Sequence, residues 1–183
     1  SSAASDVYKR QYQGNLFINN NIYFIGLPGS GKSTLGRSLA KRLKKRFFDS
    51  DAYIVDKTGV SVDTIFELEG EAGFRWREEN AISQLVKYQN MVLATGGGAV
   101  LSEINRYSLK ATGYIIYLRS TPDFLAARLS KDQTRPLLTK NRLQDLQRLY
   151  NQRAMIYEML ADITYPIDEF TPCLLYTSPS PRD

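Results

Sequence analysis

The octapeptide GLPGSGKS, residues 26–33, is the stretch on which the fold turns. It satisfies G-x-x-x-x-G-K-[ST] in full. It lies between an apolar run, IYFIG (22–26), and a segment carrying Leu35, Leu39 and Leu43 at helical spacing. A buried strand that ends in glycine and gives way to a helix is the setting in which this pattern wraps phosphate. The glycines let successive backbone N–H groups curl around phosphate oxygens, and the helix N-terminus favours negative charge. Gly29, Ser30, Gly31, Lys32, Ser33 and Thr34 are therefore the expected nucleotide-binding residues. Lys32 would reach the β- and γ-phosphates and Ser33 would ligate Mg²⁺. The competing possibility is a plain glycine-rich turn, which the complete motif in its strand–helix setting disfavours. A nucleoside triphosphate follows from these residues; the phosphoryl acceptor does not.

Working outward, further strand-sized apolar runs occur at RFF (46–48), MVLA (91–94), YIIYL (114–118) and ITY (163–165). Between them lie helical stretches at 61–89, with a break near Gly70, at about 102–110, after Thr121 with Pro122 in the first position, and over 142–160. Residues 130–141 read as a polar loop. Strands alternating with helices, without hairpin signals, predict an α/β fold. The expectation is a three-layer, doubly wound, five-stranded parallel sheet of the nucleoside-monophosphate-kinase-like P-loop type. With neither an internal repeat nor a linker, one domain spanning 12–172 is expected.

Composition narrows the chemistry. The chain has no histidine, which excludes a histidine base, a histidine metal ligand and a Ser-His-Asp triad. Its single cysteine excludes an intrachain disulfide and a cysteine-cluster zinc site. Acid–base work falls to carboxylates, lysine or tyrosine. No apolar run approaches the roughly 18 residues needed to cross a bilayer, so no membrane partner is expected. The net charge of +5 is modest and lacks Lys/Arg tracts interleaved with aromatics, so nucleic acid is not expected either. A cytoplasmic monomer is the default.

Both ends read as foreign. SSAASDVYKRQ (1–11) and CLLYTSPSPRD (173–183) carry no helix or strand pattern. DVYKRQ can be encoded by GATGTGTATAAGAGACAG, and the opposite strand of that DNA begins, in one frame, with codons for CLLYTS. The two tails therefore resemble one adapter sequence translated from both strands, and are expected to be non-native.

The acceptor is suggested by resemblance. FFDSD, IFELEGEAGFRWRE, LATGGGAVL and RPLL, in this order, together with AKRL after the phosphate loop and YIIYL, resemble the shikimate kinases over about 21–168. The resemblance implies ATP and Mg²⁺ as cofactors, shikimate as acceptor and transfer to its 3-hydroxyl. It places Asp49 beside the Mg²⁺ waters, and gives Asp51 the task of binding the substrate hydroxyls and taking the attacking proton. It makes Arg75 and Arg153 a clamp on the substrate carboxylate, a task suited to the planar guanidinium fork. It sets Gly96, Gly97 and Gly98 against the substrate through their backbone N–H groups, Arg135 on a lid over the γ-phosphate, and Arg128 on adenine. Glu78, one turn after Arg75, would orient it as an i,i+3 pair. Each residue has a plainer alternative: Ser50 or Asp51 could simply cap a helix beginning near Ala52, helical arginines usually face solvent, and a glycine run can be a flexible turn. Two departures stand out. RAMIY (153–157) replaces the family's usual R-x-P-L-Y, with Met155 at the proline position, and the family's closing segment is replaced by the foreign-looking tail. Two other functions stay open: a gluconate kinase-like small-molecule kinase, and a non-catalytic ligand-binding regulatory domain.

Overall fold

The computed structural model describes residues 20–130 and 139–169. Strand β1 (Asn21–Ile25) leads through the phosphate loop into α1 (Lys32–Leu43), followed by β2 (Arg46–Asp49), α2 (Ser50–Thr58), α3 (Val62–Leu85) and β3 (Met91–Ala94). A short 3₁₀ turn, Ala99–Leu101, precedes α4 (Glu103–Thr112) and β4 (Gly113–Arg119). The chain then forms α5 (Pro122–Ser130), α6 (Thr139–Leu160) and β5 (Ile163–Pro166). The five strands form one parallel sheet in the order β2-β3-β1-β4-β5. This is the expected doubly wound α/β architecture.

The strand pleat divides the core. Tyr23, Ile25, Met91, Leu93, Ile115 and Tyr117 point to one face, where Ile82, Leu85, Leu109, Leu125 and Leu160 cover them. Ile22, Phe24, Val92 and Leu118 point to the other, against Ala40 of α1. Burial on both faces explains why β1 reads as an uninterrupted apolar run. Helix α1 lies close to the sheet at Gly36, where a Cβ would stand 2.8 Å from the Phe47 ring. A third, smaller cluster, Ile54, Ile65, Phe74 and Ala81, joins α2 to α3.

Strand order positions the site. From β1 the chain moves to the β2 side of the sheet, whereas from β3 it crosses to β4 on the other side of β1. The crevice at the C-terminal ends of β1 and β3 is the switch point where open α/β sheets bind ligands. Both glycine stretches, 26–31 and 96–98, open there.

Candidate active site

The phosphate loop takes its shape from backbone that only glycine adopts readily. Gly29 and Gly31 have φ of 80° and 90°, and Gly31 is the N-cap of α1. Ser30 is buried with its Oγ unpartnered, and Thr34 is exposed on the first turn of α1. The Lys32 Nζ turns back into the loop and donates to the carbonyls of Gly26 and Leu27, both at 2.8 Å. Burial lowers its pKa to about 8; Asp51 and Asp49 oppose that shift, and Arg153 adds to it.

Asp49 joins the phosphate loop to α2. Its Oδ2 accepts from the Ser33 hydroxyl, and its Oδ1 accepts from the backbone N–H groups of Asp51 (2.9 Å) and Ala52 (3.1 Å). The N-cap is thus Asp49, not Ser50 or Asp51, and α2 starts at Ser50 rather than near Ala52. The Asp49 carboxylate is the group one turn below the exposed N–H donors, which is where a cap must sit. One hydroxyl and one carboxylate side by side suit a hard cation that keeps waters and shares substrate phosphates. Among the described residues no cluster of three or more His, Cys, Asp or Glu could cage a metal alone.

Asp51, freed from capping, projects into the crevice. Its Oδ1 is buried without a hydrogen-bond partner. Burial raises its carboxyl above the usual range, Asp49 adds to this, and Lys32 and Arg75 pull it back. Glu78 of α3 is fully buried, and burial raises its carboxyl too. Its Oε1 accepts from Arg75 Nη1 at 2.7 Å, the i,i+3 pair expected from the spacing. Its Oε2 and the Asp51 Oδ1 converge on Gly96, where a Cβ would meet them at 2.6 and 2.8 Å.

The glycine run is required by close approach. A Cβ on Gly98 would stand 2.1 Å from Arg75 Nη2, and one on Gly97 would stand 3.1 Å from Arg153 Nη1. The guanidiniums of Arg75 and Arg153 therefore lie on the backbone of Gly98 and Gly97. The expectation that all three glycines offer their N–H groups to substrate is corrected at Gly96, whose N–H donates to Ser50 Oγ at 2.8 Å. Arg153 is buried, and the proline-to-Met155 departure leaves it in the crevice because Met155 points to solvent. Tyr157, one turn on, stacks on Tyr117 and donates its hydroxyl to the Gly97 carbonyl. Burial pushes its pKa up to about 12, so the phenol stays a donor.

Of the seven buried side-chain polar atoms without a hydrogen-bond partner among the described residues, five belong here: Ser30 Oγ, Asp51 Oδ1, Arg75 Nε, Glu78 Oε2 and Arg153 Nε. Buried polar groups of native folds are otherwise paired, so this concentration marks a ligand site with acceptors and donors suited to an anionic, hydroxylated molecule. Arg128 stands apart on α5, its guanidinium 5.8 Å from the Phe124 ring centroid. Arg135 lies outside the described residues, as do the two tails expected to be foreign. From the sequence Ser50 reads only as a possible helix cap and Tyr157 has no role; their distant partners, Gly96 and Gly97, reveal what they do.

The sequence profile of the shikimate kinase family matches residues 28–175. A shikimate kinase of Thiobacillus denitrificans is 53% identical over 146 residues, covering 79% of this chain and 80% of its own length. One from Actinobacillus pleuropneumoniae is 49% identical over 158 residues, covering 86% and 91%. Among solved structures, a shikimate kinase from Acinetobacter baumannii in complex with shikimate superposes with a TM-score of 0.74 at 37% identity, over 88% of this chain and 96% of that one. A shikimate kinase from Bacteroides thetaiotaomicron gives 0.77 at 31% identity, over 87% and 93%.

Proposed function

This chain belongs to the shikimate kinase family, and on that premise we propose how its residues move the γ-phosphoryl group of ATP to the 3-hydroxyl of shikimate. The reaction serves aromatic amino acid biosynthesis and uses ATP with Mg²⁺. Arg75 and Arg153 pair with the shikimate carboxylate, and their footing on Gly98 and Gly97 fixes the distance from that carboxylate to Asp51. Asp51 accepts the hydrogen bond of the 3-hydroxyl and takes its proton as the new O–P bond forms and the β,γ-bridging P–O bond breaks, releasing ADP. Burial makes its carboxylate a stronger base than an exposed one, which suits the role. Lys32 exchanges the carbonyls of Gly26 and Leu27 for phosphoryl oxygens. We assign Arg135 to the same developing charge and Arg128 to the adenine ring.

The residues fit Mg²⁺: Ser33 would hold it directly and Asp49 through water. Bound there, the ion would offset the negative charge of the phosphates during transfer. Gly29, Ser30, Gly31 and Thr34 complete the nucleotide cradle.

The observation that carries these assignments is the convergence of Asp51, Glu78, Arg75 and Arg153 on the three glycines beside the phosphate loop. Coupled ADP release with shikimate, with gluconate and without acceptor tests them. Shikimate-dependent release is expected; release driven by gluconate, or none above the acceptor-free rate, overturns the acceptor assignment. No helix among the described residues is long and apolar enough to cross a membrane. A single domain over 12–172, a monomeric state, a cytoplasmic location and the lack of a nucleic-acid partner complete the proposal, with light scattering as the test of monomer.

A further inference from the structure

Helix α3 is interrupted, and the interruption is braced. Gly70 stands at φ 72°, ψ −177°, a backbone essentially reserved for glycine. It separates Val62–Glu69, which contributes Ile65 to the small core shared with α2, from the stretch bearing Arg75 and Glu78. Two contacts cross the break, each between residues eight apart. The rings of Phe66 and Phe74 stack with centroids 4.7 Å apart. Arg77 forks onto Glu69, with Nε to Oε2 at 2.8 Å and Nη2 to Oε1 at 2.7 Å.

In a continuous helix, residues eight apart are separated by about 12 Å along the axis, well beyond the three- or four-residue spacing at which helical ion pairs form. The turn at Gly70 brings this pair together. Gly73 is fitted to it as well: a Cβ there would meet Glu69 Cβ at 2.4 Å, so Glu69 folds across a position that has to lack a side chain.

We propose that the Glu69–Arg77 pair is a positioning latch that sets the bend at Gly70 and thereby holds Arg75, with its helical partner Glu78, against Gly98. The two arginines sit two residues apart and reach opposite ways, Arg77 outward to Glu69 and Arg75 inward to the glycines. Neither Glu69 nor Arg77 touches the crevice, and both are part-exposed, with side-chain exposures of 38% and 33%. An exposed pair adds little to global stability, but a local bend needs only a local bias. The proposal rests on the role given above to Arg75.

The test compares Glu69→Gln, Arg77→Met, the double variant and Arg75→Met in the full chain. The readouts are KM for shikimate, KM for ATP, thermal melting, and amide hydrogen exchange at 71–78 without substrate. Each latch variant is expected to raise the shikimate KM about three- to fivefold, with the ATP KM and melting temperature nearly unchanged and exchange at 71–78 quickened. The double variant should be no worse than either single one, because the pair acts as a unit. An unchanged shikimate KM, a parallel rise in both KM values, additive losses, or unaltered exchange overturns the latch. Arg75→Met separates the two claims. If it leaves the shikimate KM unmoved, the carboxylate role of Arg75 fails, and exchange at 71–78 still decides whether the bend depends on Glu69 and Arg77.

Discussion

Gly98→Ala isolates the substrate clamp from the rest of the enzyme. The backbone at Gly98, φ −92° and ψ 1°, is open to alanine, so the substitution carries no main-chain penalty. What it meets is the Arg75 guanidinium, with Nη2 at 2.1 Å and Cζ at 2.4 Å from the new Cβ. The arginine tip must retreat by more than about 1 Å to reach ordinary contact, and a displacement of that size in a positioning group can cost about 100-fold. The tip of a long side chain moves cheaply, so stability should change little while recognition suffers. In a coupled ADP-release assay, kcat/KM for shikimate should fall about 100-fold while KM for ATP stays within about twofold of the parent. Calorimetric titration should show weakened shikimate binding. Gly97→Ala is the graded control, since its nearest contacts are 3.0 Å to Pro28 and 3.1 Å to Arg153; its loss should be smaller. If Gly98→Ala binds and turns over shikimate normally, Arg75 does not hold the substrate from this position.

Tyr157→Phe should keep the ring stack on Tyr117 and leave the Gly97 carbonyl without its donor. At about 1–3 kcal/mol for a buried unsatisfied group and about 2–4 °C per kcal/mol for a chain of this size, melting should drop by several degrees, with a raised shikimate KM. An unchanged melting curve would remove Tyr157 from the account. Lys32, with its pKa lowered to about 8, is protonated below that pH and loses its charge above it. Because kcat/KM reports the free enzyme, kcat/KM for ATP should decline as pH rises past about 8, and a profile flat to about pH 9.5 would contradict the buried placement.

Elements with local signatures could be read from the chain alone. The phosphate loop, the two-face-buried strands, the Pro122 start of α5 and the break at Gly70 all follow from glycine, proline and periodicity within a few residues. The Arg75–Glu78 pair was legible for the same reason, being one helical turn apart. Contacts set by the tertiary fold were not. Asp49 caps α2 through Oδ1 by a local contact, but that its Oδ2 takes the Ser33 hydroxyl, sixteen positions earlier, depends on the sheet laying the two side by side. The glycine run reads as a donor surface for substrate, but Ser50 takes the Gly96 N–H, and the missing Cβ atoms make room for carboxylates and guanidiniums. Tyr157 reaches Gly97 across sixty residues, a separation no spacing rule covers. The Glu69–Arg77 fork escapes the i,i+4 rule because it depends on the helix being broken.

The central claim is that Asp51 faces the acceptor hydroxyl beside the bound triphosphate, and Asp51→Asn tests it most directly. The amide keeps the shape of the side chain and removes its ability to take a proton. Shikimate-dependent ADP release should fall by about 10²–10⁴-fold, while ATP affinity, measured by titration without shikimate, stays that of the parent. Near-parental turnover by Asp51→Asn would contradict the account.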